Sequence, residues 1–406
     1  MFWINCSEPI MEALVQKHLR RTIDLRQRLH RIPELMFEEH QTAAAIRAQL
    51  DELGIAYTAG VTDAPTATVA VIGEASKPCV ALRADIDALP IEEKTGFAYA
   101  STHLGKMHAC GHDGHSATLV GTAAVLNSIA AELPVCVKLI WQPAEEGGET
   151  GSGAERLVAA GVLDGRIGPK VEAIFGLHGW PGLKVGTVAS KAGVLLAATD
   201  GFKATFVGRG CHGAYPHLGR DPIVTACEAV LNLQQFVSRE FDPTDSAVVT
   251  VGIFHAGTAT NIIPDQASIE GTARTITADG RRRIAAAIER RCDGIAAAND
   301  CQLRFTWKPG YPPTVNDPAM SDLVAAAAKA VVGAGQYFPV PKPSMGGEDF
   351  AYYLEKVPGC FFLIGMDPVG SEGCPSLHSD RYDFNDDAVG VGMRVFVELV
   401  RRFGRA

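Results

Sequence analysis

The feature that most constrains the fold of this chain is an alternation of short apolar runs with longer helical patterns. Apolar runs at residues 79–87, 135–142 and 173–177 are separated by helical patterns at 115–132 and 151–161. Two parallel strands must be joined by a crossover of a dozen or more residues, and that crossover is usually a helix. The alternation therefore predicts an α/β fold built on a mostly parallel sheet.

The middle of the chain has a different order of elements. After residue 200 the pattern is strand, helix, strand, strand, helix, strand, which is the order of a ferredoxin-like split unit, βαββαβ. A segment of about 110 residues is large enough to fold by itself. The sequence thus predicts one domain made of residues 1–196 and 309–406, interrupted by an inserted domain of residues 197–308.

Composition and charge argue against several classes of partner. The formal net charge of −9 over 406 residues repels polyanions, and the basic triplet 281–283 lies in a helical pattern, so we expect no nucleic-acid binding. No stretch approaches 18 uninterrupted apolar residues and the N-terminus has no signal-peptide pattern, so no membrane association is expected. The ten cysteines are scattered, as reduced thiols are, which predicts a cytoplasmic location.

Side chains that can ligate metal recur where the predicted strands end. In open α/β sheets, ligands bind outside the carboxyl ends of the strands. One nine-residue stretch, MHACGHDGH (107–115), follows the apolar run at 79–87 and holds three histidines, a cysteine and an aspartate. The candidate side chains are Asp85, Asp87, Cys110, His112, Glu145, Glu146, His178 and His378. Their positions predict a site at one edge of the sheet.

Five of these side chains form a candidate metal-ligand set: Cys110, His112, Glu146, His178 and His378. Thiolate, imidazole and carboxylate together suit zinc, manganese, cobalt or nickel rather than calcium or magnesium. Five ligands exceed the need of one catalytic ion, which favours two ions that share a bridging group. The neighbouring Glu145 is then available as a general base.

The residues alone leave other interpretations open. Cys110 could be a nucleophile beside His112 or His108, in which case a chelator would leave the enzyme active. Asp85 and Asp87 are weaker candidates than the rest. One of them could orient a ligand histidine, and the other could cap a helix.

Nine segments closely resemble the aminoacylase, hippurate hydrolase and indole-acetyl-amino-acid hydrolase branch of the dinuclear zinc metallopeptidases. The resemblance implies a dinuclear-metal, exopeptidase-like catalytic domain interrupted by a lid or dimerisation domain. It also implies a homo-oligomer, either a homodimer or a homotetramer formed through the lid. The segments are HRIPELMFEEHQTA (30–43), ALRADIDALPIEE (81–93), GKMHACGHDGHSA (105–117), WQPAEEGGETGSGA (141–154), GLHGW (176–180), GRGCHGAYPH (208–217), TNIIPDQASIEGTART (260–275), SMGGEDFAYY (344–353) and SLHSDRYDFND (376–386).

The resemblance also assigns roles to individual residues. It implies that the five candidate ligands hold metal and that Glu145 is the general base. His212 matches a histidine that holds the scissile carbonyl oxygen, in several relatives across a subunit boundary. Asn261 and Arg274 match lid positions that contact the carboxylate end of the substrate. Cys211 departs from the family pattern, which usually has glycine beside that histidine, so the assignment of His212 is less secure than that of the ligands.

The activity implied is that of a metal-dependent amidohydrolase. It would cleave the amide bond of N-acyl amino acids, either hippurate-like or N-acetyl substrates, to a carboxylic acid and a free amino acid. Two divalent ions per subunit are expected, zinc or manganese, with cobalt or nickel also suited. One alternative is a metallo-dipeptidase or carboxypeptidase with the same fold, and another is a binding protein that has lost catalysis.

Overall fold

The computed structural model describes residues 8–147, 151–242 and 244–404. The α-helices in these residues are α1 (Glu8–His30), α2 (His40–Glu52), α3 (His112–Ser128), α4 (Gly153–Ala160), α5 (Pro222–Glu240), α6 (Ala278–Ala298), α7 (Pro318–Val332), α8 (Ala351–Leu354) and α9 (Asp386–Phe403). The strands are β1 (Tyr57–Val61), β2 (Ala64–Ile72), β3 (Cys79–Asp85), β4 (Cys136–Gln142), β5 (Val171–Lys184), β6 (Val188–Ser190), β7 (Gly193–Leu196), β8 (Ala198–Val207), β9 (Cys211–His212), β10 (Ala247–Ala256), β11 (Ile262–Ile263), β12 (Gln266–Thr275), β13 (Gln302–Pro309), β14 (Thr314–Asn316), β15 (Tyr337–Pro339) and β16 (Gly359–Asp367).

The chain divides into two compact units. Unit 1 comprises Met1–Leu195, Val315–Lys342 and Asp349–Ala406, and unit 2 comprises Leu196–Thr314 and Pro343–Glu348. The predicted insertion, residues 197–308, lies within unit 2. Its role as a lid stays a prediction.

Unit 1 is built on an eight-stranded sheet in the order β1-β2-β4-β3-β5-β16-β6-β15. The central pairs β4–β3, β3–β5 and β5–β16 are parallel, as is β15–β6 at one edge. The pairs β1–β2, β2–β4 and β16–β6 are antiparallel. The predicted α/β fold with a large, mostly parallel sheet is therefore confirmed, and the antiparallel pairs are an addition to it.

Three of the central strands of unit 1 are buried along their whole length. Every residue of β3, β4 and β16 is buried, as expected for parallel strands that are covered on both faces. Helices α1, α3 and α9 pack against one another. Burying a large apolar side chain stabilises a fold by about 1.5–3 kcal/mol, and Trp141 and Phe362 are fully buried in this core. A rigid sheet thus supports the loops at its edge.

Unit 2 contains a four-stranded antiparallel sheet in the order β10-β12-β8-β13, with helices α5 and α6 packed against it. Strand β8 alternates buried and half-buried residues along its ten positions, the pattern of a sheet with one covered face. The apolar core of the unit includes Phe202, Phe206 and Phe236. A separate two-stranded ribbon pairs β9 with β11.

Candidate metal centre

The turn that begins α3 places Cys110 and His112 on either side of one glycine. Gly111 is the N-cap of α3 and has φ of 86°, in the left-handed region. A Cβ atom there would lie 3.0 Å from both the Phe384 ring and the Tyr382 hydroxyl. Because glycine alone meets both demands without strain, the sequence Cys-Gly-His can make this tight turn at the edge of the sheet.

The other candidate ligands come from three separate segments. Glu145 and Glu146 follow the end of β4, as predicted. His378 follows β16 and has φ of 63°, an uncommon backbone conformation for a residue with a side chain. His178 was expected just beyond a strand, but β5 continues past it to Lys184, because β16 pairs with β5 through this region.

The structure brings all five candidate ligands together in two groups that share one residue. Ligand atoms of Cys110, His112 and His178 lie within 4.8 Å of one another, and so do those of Cys110, Glu146 and His378. Cys110 Sγ is 3.4 Å from His178 Nε2, and Glu146 Oε1 is 3.0 Å from His378 Nε2. Because Cys110 belongs to both groups, the two candidate ligand sets adjoin each other at its thiol.

The chemistry around His112 fits a bound cation. Its Nδ1 donates toward Asp87, 2.9 Å from the backbone oxygen and 3.2 Å from Oδ1. Its Nε2 is buried and has no hydrogen-bond partner among the described residues. Burial lowers the pKa of His112, but the carboxylates of Asp85 and Asp87 outweigh that effect and raise the pKa to about 10. Surroundings this negative favour a positive charge at Nε2, and a divalent ion would supply one.

Asp87 orients two ligands at once. While one carboxylate oxygen faces His112 Nδ1, the other accepts a hydrogen bond of 2.8 Å from the backbone N–H of Glu146. Groups behind the ligands of a metal site fix their orientation in this way. The sequence left two roles open for Asp87, a helix cap or a group that orients a ligand histidine. These contacts favour the orienting role.

His115 contributes to the site in a way that sequence reasoning missed. Asp85, His112 and His115 form a further group within 4.8 Å, but both ring nitrogens of His115 are engaged. Nδ1 donates to Asp85 Oδ1 at 2.7 Å, and Nε2 accepts from the backbone N–H of Gly179 at 2.8 Å. His115 therefore ties the end of β3 to the residue after His178. Its position three residues after His112 on α3 was the available signal.

Glu145 lies beside the cluster with its side chain nearly enclosed. The residue is 6% exposed, and Oε2 is 3.9 Å from His112 Nε2. Oε1 accepts a long hydrogen bond of 3.4 Å from the backbone N–H of Asp349. Asp349 is itself buried and receives hydrogen bonds from Arg83 and Gln142. Sequence reasoning did not single out Asp349, whose only signal was its place in the segment SMGGEDFAYY (344–353).

The residues expected to contact substrate all belong to unit 2. His212 lies in β9, opposite Ile262 of β11, and the backbone N–H of Gly213 donates to Asn261 O at 2.7 Å. His212 and Asn261 are therefore neighbours on one exposed ribbon. Arg274 is half-buried near the far end of β12, opposite Thr199. It lies eight residues beyond the start of β12, about 26 Å along an extended strand.

The comparison with known proteins decides the family. The model of peptidase family M20/M25/M40 matches residues 81–402. The chain belongs to this peptidase family. An N-acetyl-L-cysteine deacetylase of Bacillus subtilis (strain 168) is 43% identical over 385 residues, 94% of this chain and 87% of that protein. The IAA-amino acid hydrolase ILR1-like 4 of Arabidopsis thaliana is 38% identical over 385 residues, 94% of this chain and 85% of that protein.

A solved structure from the M20 family has the same architecture. The YXEP protein of Bacillus subtilis, a dinuclear metal binding peptidase, superposes with a TM-score of 0.81 at 37% identity, covering 96% of this chain and 99% of that one. The resemblance inferred from the sequence motifs is thus confirmed, and the chain is a hydrolase that acts on amides. None of the helices described is both long and apolar enough to cross a membrane.

Proposed function

We propose that this member of the M20 family hydrolyses the amide bond of N-acyl amino acids, hippurate-like or N-acetyl, to a carboxylic acid and a free amino acid. The observation that carries the proposal is the pair of ligand groups that share Cys110, with the buried carboxylate of Glu145 beside them. The named activities of the deacetylase and IAA-amino acid hydrolase relatives support the substrate class.

Two divalent ions per subunit are assigned to the two groups. Cys110, His112 and His178 would hold one ion, and Cys110, Glu146 and His378 would hold the other. Thiolate, imidazole and carboxylate suit zinc or manganese, and cobalt or nickel as well. When bound, such ions polarise a carbonyl and lower the pKa of a coordinated water.

Glu145 is assigned the proton transfers. Its Oε2 takes a proton from the attacking water and later gives it to the nitrogen of the leaving amine. The hydrogen bond from Asp349 N to Oε1 helps to orient the carboxylate, and Oε2 lies 3.9 Å from His112 Nε2, on the side of the ligand groups. Enclosure of the side chain keeps bulk water from competing for the proton.

A reduced thiol at Cys110 is a condition of this assignment, because the thiolate is the form that ligates metal. No disulfide joins the nine cysteines that the structure describes. We propose that the chain works in the cytoplasm, where thiols stay reduced.

His212, Asn261 and Arg274 are assigned to the substrate. The imidazole of His212 would stabilise negative charge on the carbonyl oxygen, and Arg274, with Asn261, would grip the carboxylate of the amino acid. Arg274 and the ribbon with His212 and Asn261 lie at opposite ends of the sheet in unit 2, farther apart than one small substrate extends. We therefore propose that the ribbon serves the site of a second copy of the chain.

The surface proposed for self-association is the exposed edge strand of unit 2. Strand β10 ends the four-stranded sheet, and its side chains include the exposed Val248, Ile253 and Phe254. An apolar edge strand is a template for pairing with another strand. A second copy presents the same edge, so an isologous homodimer, or a homotetramer built from such dimers, would cover it.

A charged residue on β10 is expected to separate the copies. Ile253→Lys, at a side chain 46% exposed, should shift the protein to monomer in light scattering coupled to size exclusion. It should also lower kcat/KM at least about tenfold, because each site loses the partner's ribbon. Val369→Lys is the matched control, since Val369 is 82% exposed in unit 1. A wild-type protein that is monomeric at micromolar concentration and fully active would contradict the proposal.

The substrate class is tested with a matched pair of amides. Benzoyl-glycine and phenylalanyl-glycine each carry one aromatic ring, but the dipeptide adds a free ammonium group. The N-acyl hydrolase is expected to favour benzoyl-glycine, or the N-acetyl amino acid tested beside it, by at least about tenfold in kcat/KM, since a buried ammonium without an anionic partner is costly. The opposite preference would support the dipeptidase alternative.

A further inference from the structure

The residue that directly precedes Glu145 and Glu146 has an unusual backbone conformation. Ala144 has φ of 52°, a left-handed value that is unfavourable for a residue with a Cβ atom. Such a residue persists only where its surroundings hold it. The direction in which Glu145 and Glu146 leave β4 depends on this one torsion angle, so the groups that hold Ala144 control the aim of both carboxylates.

Glu39 is the side chain that holds Ala144. The residue is 0% exposed and stands at the N-cap of α2. Its Oε1 accepts a hydrogen bond of 3.0 Å from Ala144 N and one of 2.9 Å from Phe37 N. Phe37 also has a left-handed backbone, with φ of 63°. The other carboxylate oxygen of Glu39, Oε2, accepts a hydrogen bond of 2.6 Å from Thr66 Oγ1. One carboxylate oxygen thus fixes two left-handed residues.

The position of Glu39 is costly for an acidic side chain. Burial and the nearby charge of Asp87 raise the pKa of Glu39 to about 7. A buried carboxylate destabilises a fold unless its hydrogen bonds compensate for lost hydration. The Glu39 carboxylate accepts hydrogen bonds from Thr66 Oγ1 and from the backbone N–H groups of Ala144 and Phe37. This cost is consistent with a role in holding the turn.

We propose that Glu39 is a positioning residue for Glu145, acting through the backbone of Ala144. This inference rests on the proposed function, because it presumes that Glu145 is the base and Glu146 a ligand. Asp87 holds the turn at Glu146 N and Glu39 holds it at Ala144 N. None of the candidate metal ligands lies in the segment HRIPELMFEEHQTA (30–43). The proposal gives that segment a role in the site.

Three substitutions separate the hydrogen bond from the charge. Glu39→Met fills a similar volume but offers Ala144 N no acceptor. Glu39→Gln keeps an amide oxygen toward Ala144 N and Phe37 N, and its NH₂ group can donate to Thr66 Oγ1, so only the charge is lost. Ala144→Gly removes the Cβ that penalises the left-handed turn, so the turn needs less support from Glu39.

The expected results follow from misplacement of the base and one ligand. Glu39→Met should lower kcat by about 10- to 100-fold with little change in KM, because a shift of about 1 Å at a reacting group can cost this much. It should also weaken zinc binding to chelator-stripped protein by about tenfold in calorimetry. Glu39→Gln should stay within about threefold of wild type, and Ala144→Gly should restore most of both losses in the Glu39→Met background.

A control in the same segment separates positioning from folding. Glu34 is also buried, and its carboxylate accepts hydrogen bonds of 2.9 Å from Thr42 N and 3.2 Å from Gln41 Nε2, both in α2 and not in the 144–146 turn. Glu34→Ala should lower the melting temperature but leave kcat unchanged. If Glu39→Met does not fold, Glu39→Asp takes its place, since a carboxylate one methylene shorter draws back from Ala144 N.

Several outcomes would overturn the inference. The first is a Glu39→Met variant with the kcat and zinc affinity of the wild type. The second is a Glu39→Gln variant that loses as much kcat and zinc affinity as Glu39→Met. The third is a Glu39→Met/Ala144→Gly variant that recovers neither quantity. Failure of the proposed function has a different signature. In that case the wild-type protein releases no amino acid from N-acyl substrates, while the zinc affinities of the same variants still report whether Glu39 positions the turn.

Discussion

Glu145→Gln is expected to lower kcat by about 10²- to 10⁴-fold, the range that a positioned general base contributes, while both metal ions stay bound. The amide keeps the shape of the side chain and can still accept a hydrogen bond from Asp349 N, but it cannot take a proton from water. Release of free amino acid measures kcat, and elemental analysis of the same sample measures the metal.

The control for this substitution is Glu155→Gln, at an exposed residue in the first turn of α4. It removes the same charge from unit 1 at a residue that belongs to neither ligand group, so activity should not change. A Glu145→Gln enzyme that keeps more than about a tenth of wild-type kcat would show that another group is the base. Loss of metal in this variant would instead make Glu145 a ligand.

Cys110→Ser is expected to lose both ions, whereas His378→Ala loses one. The reason is that Cys110 belongs to both ligand groups and His378 to a single group. Activity should fall by more than about 10²-fold in Cys110→Ser. A loss of that size exceeds the effect of most substitutions at residues that only hydrogen-bond to metal ligands. Metal content per subunit and amino acid release are measured on the same preparations. Cys227→Ser, at an exposed cysteine, is the control.

The same variant separates the metal hydrolase from a cysteine hydrolase. If Cys110 were a nucleophile, Cys110→Ser would lose activity but keep its metal content, and a chelator would not inactivate the wild-type protein. Retention of both ions in Cys110→Ser would contradict the shared-ligand assignment.

The ligand residues could be proposed from the sequence because their chemistry is concentrated and their positions follow strands. Cys110 and His112 are adjacent in a glycine-containing loop, and Glu146 follows an apolar run. Side chains that can ligate metal and that follow parallel strands are brought to one edge of the sheet. Their positions in the sequence therefore predict that they cluster there. Their roles remain proposals until the variants above are measured.

The groups that hold the ligands could not be predicted in the same way. His115, Asp349 and Glu39 act through hydrogen bonds to groups that lie far apart from them in the chain. Nothing in the sequence WQPAEEG signals that Ala144 is left-handed, since alanine rarely is. A role that depends on one torsion angle and one distance becomes visible only in three dimensions.

The fold shows a similar division. The wholly buried strands β3, β4 and β16 were evident as mostly apolar runs. Strands β1, β6 and β15 were missed, because they have three to five residues and no residue of β1 is buried. Helix α3 begins at His112 rather than at residue 115, because Gly111 can serve as its N-cap.

The measurement that tests the central claim most directly is amino acid release from N-acetyl, N-benzoyl and indole-acetyl amino acids by chelator-stripped protein, with and without added zinc or manganese. The account predicts that stripping abolishes release and that either metal restores it on at least one of these substrates. Release that persists in fully stripped protein, with its metal content verified, would contradict a metal-dependent amidohydrolase and favour Cys110 as a nucleophile.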